Sequence, residues 1–257
     1  MLAIELPPKN AVRVEVMGAP IDNLSMEETL LQIEERILEG KPIQHVVVNA
    51  AKIVEINKNA KIKRIIESCE IVNADGQAVV WASKLLGKPL KERVAGIDLM
   101  QELIKRANEK NWGVFFFGAK QEVLDKVVAH YRKEFPFLRI AGARNGYYKP
   151  EEELKIVEEI RASNAQILFV AISSPKKEIF LNTYLDVMNV PFVMGVGGSF
   201  DVVAGLVKRA PLWMQKLGLE WLFRFLQEPR RMWRRYIIGN TEFILLLIKY
   251  KLKSAKT

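Results

Sequence analysis

Asp75 is the residue best placed to do chemistry. It follows the short apolar run 70–74 and precedes Gly76 and a helix-like stretch. A carboxylate there stands where a strand hands over to a helix and can take a proton from a bound hydroxyl as a general base. The same position also suits an ordinary turn or helix-capping aspartate. Asn49, which ends the apolar run 43–48, has the same two readings, ligand contact or cap.

Two further segments gather groups that suit an anion. In Val196-Gly197-Gly198-Ser199-Phe200-Asp201 the glycines let backbone N–H groups approach a phosphate, and a following helix adds its dipole. Asp201 can accept hydrogen bonds from a base or ribose. The dinucleotide fingerprint is not met, because Phe200 stands where its third glycine belongs. Ser173-Ser174-Pro175-Lys176-Lys177-Glu178 places hydroxyls and lysines where a helix starts. A plain cap is the simpler reading, but lysines in a first turn oppose the helix dipole, which favours an anionic ligand. No Asp-x-Asp occurs, nor any Cys/His cluster with zinc spacing. The sequence therefore predicts a site without metal or cofactor, in which Arg93 and arginines near the C-terminus neutralise an anionic leaving group.

These residues need a frame. Strand-like runs at 13–17, 43–48, 70–74, 113–117, 138–141, 166–172 and 192–196 alternate with helix-like segments at 25–40, 49–57, 77–86, 96–108, 121–134, 151–163 and 175–188. Ser25 with Glu28 reads as a capping box and Gly40 as a helix stop. Continuous apolar strands between amphipathic helices predict an α/β fold, Rossmann-like, with a largely parallel sheet covered on both faces. Asp75, Asn49, Gly118, Lys177 and the Gly197-Gly198 turn then lie at the carboxyl ends of strands, where ligands bind in such sheets.

The charge is unevenly spread. Residues 207–257 hold twelve Lys/Arg against three Asp/Glu, while residues 1–206 hold 27 of each. The division expected is a catalytic α/β domain over 1–206 and a basic, amphipathic, helical appendage over 207–257. Within the appendage Trp213, Met214, Leu217, Trp221 and Phe225 recur at mostly helical spacing, and Pro229 suits a helix start ahead of Arg230, Arg231, Arg234 and Arg235. Its longest apolar run, 243–248, is far short of the ~20 residues that cross a bilayer. The appendage is thus expected to lie on an anionic membrane surface. The single cysteine, Cys69, suits a reducing compartment, and no signal peptide is read at the N-terminus.

Taken together the motifs resemble the WecG/TagA/CpsF glycosyltransferase family over nearly the whole chain. The resemblance rests on Val48-Asn49-Ala50, Ala74-Asp75-Gly76, Arg93-Val94-Ala95-Gly96-Ile97-Asp98-Leu99, Phe117-Gly118-Ala119, Ser174-Pro175-Lys176-Lys177-Glu178, Gly195-Val196-Gly197-Gly198-Ser199-Phe200-Asp201 and Arg209-Ala210-Pro211. Gly218-Leu219-Glu220-Trp221-Leu222, Arg224 and Glu228-Pro229-Arg230-Arg231 extend it. It implies an inverting, metal-independent transferase that moves an N-acetylhexosamine, ManNAc first, from a UDP-sugar to undecaprenyl-diphosphate-linked GlcNAc in the synthesis of a teichoic acid-like glycan. Asp75 is implied as the catalytic base. Asn49, Arg93, Gly118, Lys177, Gly197, Gly198, Asp201, Arg224, Arg230 and Arg231 are implied at the substrate site. A peripheral place on the cytoplasmic face of the membrane follows, and a homo-oligomer is compatible. The chain departs from teichoic-acid members at Val47-Val48, where they carry Thr-Pro, and at Lys177, where they carry Gln. Other donors of the same type, UDP-glucose or UDP-ManNAcA, stay open. A nucleic-acid-binding protein with a basic tail is the competing class; the neutral body does not need such a role. A nucleotide-dependent oxidoreductase is disfavoured by the broken glycine fingerprint, and a purely structural adaptor leaves the site residues without a task.

Overall fold

The computed structural model of the chain describes residues 12–254. The chain enters as a hairpin of β1 (Arg13–Val16) and β2 (Ala19–Asp22), antiparallel and separate from the main sheet. Sequence reading predicts a single strand at 13–17; Met17 and Gly18 instead make the turn, both at positive φ. Helix α1 (Met26–Glu39) follows, with the capping box between Ser25 and Glu28 and the left-handed Gly40 at its end as expected.

Six parallel strands form the main sheet: β3 (Ile43–Val48), β4 (Ile71–Ala74), β5 (Val114–Gly118), β6 (Ile140–Arg144), β7 (Ile167–Ala171) and β8 (Phe192–Gly195). Their order is β4-β3-β8-β7-β5-β6. The intervening helices are α2 (Ala50–Lys58), α3 (Ala60–Glu67), α4 (Gln77–Leu85), α5 (Gly96–Lys110), α6 (Gln121–Glu134), α7 (Glu153–Ala162) and α8 (Lys176–Met188). Sequence reading predicts one helix at 49–57, but Asn59 breaks the ladder and caps a second, α3, by accepting from the N–H groups of Lys61 and Ile62.

The central strands β5, β7 and β8 are apolar throughout because both faces are covered. Phe116 and Phe169 point into a core with α1, α5 and α6, while their neighbours Phe115, Phe117, Leu168 and Val170 pack with residues of α7 and α8. A third cluster joins the hairpin, α2, α3 and α4. The hairpin shields the exposed edge of β4: Asp22 accepts from the Val72 N–H at 2.8 Å and pairs with Arg13 at 2.8 Å.

After β8 the chain is helical: α9 (Ser199–Val203), α10 (Leu212–Lys216), α11 (Glu220–Gln227), α12 (Pro229–Trp233), a π-helical turn (Arg234–Ile238) and α13 (Gly239–Ser254). The stretch 211–227 is two short helices, because Gly218, at φ 67° in the left-handed region, turns the chain between α10 and α11. Helix α13 returns to the body and seats Phe243, Leu246, Leu247 and Tyr250 against the α2 cluster. Among the described residues no helix is long and apolar enough to cross a membrane.

Candidate active site

The candidate residues collect along the carboxyl edge of the sheet. The Asp75 N–H bonds the Val48 carbonyl at 2.9 Å, so Asp75 leaves β4 beside Asn49 at the end of β3. The Val94 N–H bonds the Ala74 carbonyl at 2.9 Å, which draws the Arg93 loop alongside. Strand β8 lies on the far side of β3, so Asp75 and the Gly197 turn follow strands two spacings apart, about 10 Å between strand axes. Asn49 caps α2, its side-chain oxygen accepting from the Lys52 N–H at 3.0 Å. Capping and ligand contact are compatible here, since the cap uses only the amide oxygen and leaves the NH2 group to donate.

Asp75 stands on a polar column. Asn73, two residues earlier in β4, accepts from His45 Nε2–H through its Oδ1 at 2.9 Å and donates through its Nδ2 to Thr29 Oγ1 at 3.1 Å. His45 is fully buried, and burial is the main reason its pKa falls to about 4; the Asn73 bond opposes the shift and the Lys177 charge adds to it. The imidazole is therefore neutral at physiological pH.

The glycine turn after β8 is crowded by two cations from different parts of the chain. A Cβ on Gly195 would lie 2.5 Å from the Lys177 side chain, and one on Gly198 would lie 2.7 Å from an Arg224 guanidinium nitrogen. Only glycine lets these side chains lie so close. Lys177 arrives from α8 and Arg224 from α11. Arg224 Nε is buried with no hydrogen-bond partner among the described residues. Two cations converging on a glycine turn form a site that suits a diphosphate.

Arg93 and the arginine that sequence reading did not single out, Arg209, are engaged with carboxylates. Arg93 pairs with Glu220 of α11 at 3.0 Å and approaches Asp98 at 3.9 Å. Arg209 grips Asp98 with both terminal nitrogens, one at 2.8 Å, and reaches Glu220 at 3.5 Å. This four-residue clamp fastens α11, and with it Arg224, to the start of α5. Its members lie in motifs already noted, Arg93 to Leu99, Arg209-Ala210-Pro211 and Gly218 to Leu222, but nothing in their spacing discloses the pairing.

The remaining candidates separate. Gly118 closes β5 where a Cβ would strike the Ala171 backbone at 2.5 Å, so its need for glycine comes from strand packing. Asp201 lies in the first turn of α9, and its carbonyl accepts the N–H groups of Leu206 and Val207. Arg230 is exposed on α12, and the side chain of Arg231 lies outside the described residues. Lys176 turns away from the turn and sits 3.7 Å from the Tyr148 ring centroid. No group of three or more His, Cys, Asp or Glu suited to a metal occurs among the described residues.

Comparison with known proteins shows which family the chain belongs to. The sequence profile of the Glycosyl transferase WecG/TagA/CpsF family matches residues 14–257. The chain belongs to that glycosyltransferase family. It is also 37% identical over 202 residues to the N-acetylglucosaminyldiphosphoundecaprenol N-acetyl-beta-D-mannosaminyltransferase of Bacillus spizizenii, covering 79% of this chain and 77% of that protein. The aligned residues thus span most of both proteins.

Proposed function

We propose that the chain transfers N-acetylmannosamine from its UDP-sugar to undecaprenyl-diphosphate-linked GlcNAc, with inversion and without a metal. The observation that carries the reading is the convergence of Lys177 and Arg224 on the Gly195–Gly198 turn, two strands from Asp75. Asp75 takes the proton from the acceptor hydroxyl. The oxygen attacks the anomeric carbon as the bond to the UDP oxygen breaks, and Lys177, Arg224 and the turn's N–H groups hold the charge that develops on the diphosphate. Asn49 and Arg93 flank the sugar side, Arg93 exchanging Glu220 for substrate, and Asp201 reaches the nucleoside. Gly118 keeps the neighbouring loop close.

The reading extends to location. Residues 207–257 act as a basic appendage that docks the enzyme on the cytoplasmic face of an anionic membrane, where the polyprenyl acceptor resides. Leu212 and Trp213 on α10, Leu217 just after it and Leu226 on α11 are exposed, as are Ile244, Leu245, Ile248 and Leu252 on α13, among lysines and arginines. Exposed apolar residues interleaved with cations suit a lipid surface. Arg230 and Arg231 serve either the bilayer or the diphosphate of the acceptor.

The test is transfer to lipid-linked GlcNAc from a panel of UDP-ManNAc, UDP-ManNAcA and UDP-glucose, read by product mass. UDP-ManNAc should be used best. Asp75→Asn should keep UDP affinity and lower turnover by about 10²–10⁴-fold, the usual loss for a general base. Wild-type turnover in the folded variant would remove Asp75 from the reaction. Transfer should also persist in EDTA, because cationic side chains replace the metal; restoration by Mg²⁺ or Mn²⁺ after a loss would contradict this.

A further inference from the structure

Beneath the glycine turn lies a buried charge cluster that the reaction scheme does not use. Glu178, the third residue of α8, has a side chain only 2% exposed, and Lys52 of α2 has one 9% exposed. Lys52 Nζ lies 3.0 Å from Glu178 Oε1 as an ion pair, and donates hydrogen bonds to Glu55 Oε2 at 2.7 Å and Ser174 Oγ at 2.6 Å. Lys177 Nζ lies 3.5 Å from the same Glu178 oxygen, and its stem crosses Gly195 toward Gly197. Neither Glu178 oxygen accepts a well-directed hydrogen bond among the described residues. Its charge is compensated by the two ammonium groups and by the positive end of α8. Desolvation pushes the carboxyl up, yet Lys177 and Lys52 outweigh it and hold it below the ordinary carboxylate range.

A buried carboxylate held ionised beside the cation that faces a leaving anion has a definite consequence. The Lys177 ammonium is shared between Glu178 and whatever anion occupies the turn. We propose that Glu178 is a positioning residue that holds Lys177 across the turn and weakens its grip on departing UDP, with Lys52 keeping Glu178 in place and charged. The proposal rests on the reading of the turn as the diphosphate site. Without Glu178, Lys177 would give its whole charge to the product, and UDP would leave slowly. Lys52 acts in the opposite sense: without it, Glu178 holds Lys177 alone and the local positive charge falls.

The experiment is UDP binding by calorimetry with the full chain, together with steady-state transfer. Glu178→Gln should tighten UDP about tenfold, the scale of one unit charge removed at this range in a partly solvated site. Its kcat and its donor KM should fall together, leaving kcat/KM nearly unchanged. Lys52→Met should weaken UDP. Opposite signs at two buried partners are not what loss of packing produces, since that would weaken UDP in both. In a Lys177→Ala background, Glu178→Gln should no longer tighten UDP. Should the Gln variant fail to fold, Glu178→Asp keeps the charge that Lys52 needs but draws it back from Lys177, and should tighten UDP by a smaller factor. UDP binding that is unchanged or weaker in folded Glu178→Gln or Glu178→Asp would overturn the proposal. No UDP binding by the wild-type chain would instead overturn the diphosphate reading itself.

Discussion

The sheet and the helices after β8 are held by different forces. The strands of the sheet other than the edge strand β6 are buried on two faces, and their core residues are almost wholly enclosed. The later helices expose many of their large apolar residues: Trp213 is 60% exposed, and α11 has no buried residue at all. What fastens α11 is charge, through Arg93, Glu220, Arg209 and Asp98. What fastens α13 is a narrow apolar contact around Phe243, 5% exposed, on the α2 cluster. The sheet is set by burial, which is insensitive to salt. The later helices are set by few links, so their place over the site can respond to ionic surroundings.

The largest effect expected from breaking this contrast is on the membrane. Changing Arg230, Arg231, Arg234 and Arg235 to Glu should abolish sedimentation with phosphatidylglycerol vesicles at low salt while leaving the melting temperature of the body nearly unchanged. An anionic surface attracts each basic residue by ~1 kcal/mol, and reversing four charges removes and then opposes that attraction. Equal sedimentation of the variant and the wild-type chain would move the docking surface elsewhere. Truncation after Leu206 is a less clean test than the charge pattern suggests. It strips Phe243 from its seat, and loss of a buried phenylalanine costs about 3 kcal/mol, so the body should be destabilised as well as detached.

The next effect concerns the sheet alone. His45 has its pKa lowered to about 4 in the folded protein, against an ordinary 6.5. Between those values the unfolded chain binds the proton and the folded one does not, so stability is complete above pH 6.5 and declines as the pH falls toward 4. The loss comes to about 3 kcal/mol at the low end. His45→Gln should flatten the dependence of urea stability on pH in that window. An unaltered slope in the variant would show that other groups set the acid response.

The same contrast explains what can be read from sequence. Runs such as Val114–Gly118 and Ile167–Ala171 announce themselves because strands buried on both faces are apolar at every position. Strand β2 is hidden by its length and by Pro20, which reads as a breaker; it fits because the hairpin sits outside the main sheet. Helix α3 is hidden by the asparagines at 57 and 59, one of which caps it. Asp75, Asn49, Lys177 and the Gly197-Gly198 turn are legible because each ends a strand, and the fold gathers strand ends. Glu178 and Lys52 are not, because charged residues on helices ordinarily face water. Only the crossing of α2 and α8, 122 residues apart at the Lys52–Ser174 bond, buries them. The pairing of Arg209 with Asp98, 111 residues away, is concealed for the same reason.

The smallest effect expected lies at the junction between the two regions. Arg209→Ala removes the bidentate partner of Asp98 and the weaker contact with Glu220, leaving Arg93 to hold α11 alone. Asp98 and Glu220 are each about a third exposed, so water replaces much of what is lost. Pairs so placed are worth up to ~1 kcal/mol, which is roughly a fivefold change in the fraction of molecules with α11 seated. Transfer should fall by about that factor, and stability of the sheet should hardly change. Because the links are ionic, raising the salt concentration should lower wild-type transfer to a soluble acceptor analogue and bring it toward the level of the variant. Equal salt responses in the two proteins would show that the clamp does not govern the seating of α11. If Arg224 reaches the turn only when α11 is seated, then Arg224→Ala should lower transfer too, and adding Arg209→Ala should cost little more. Additive losses in that double variant would mean that Arg209 acts on the reaction by a route other than Arg224.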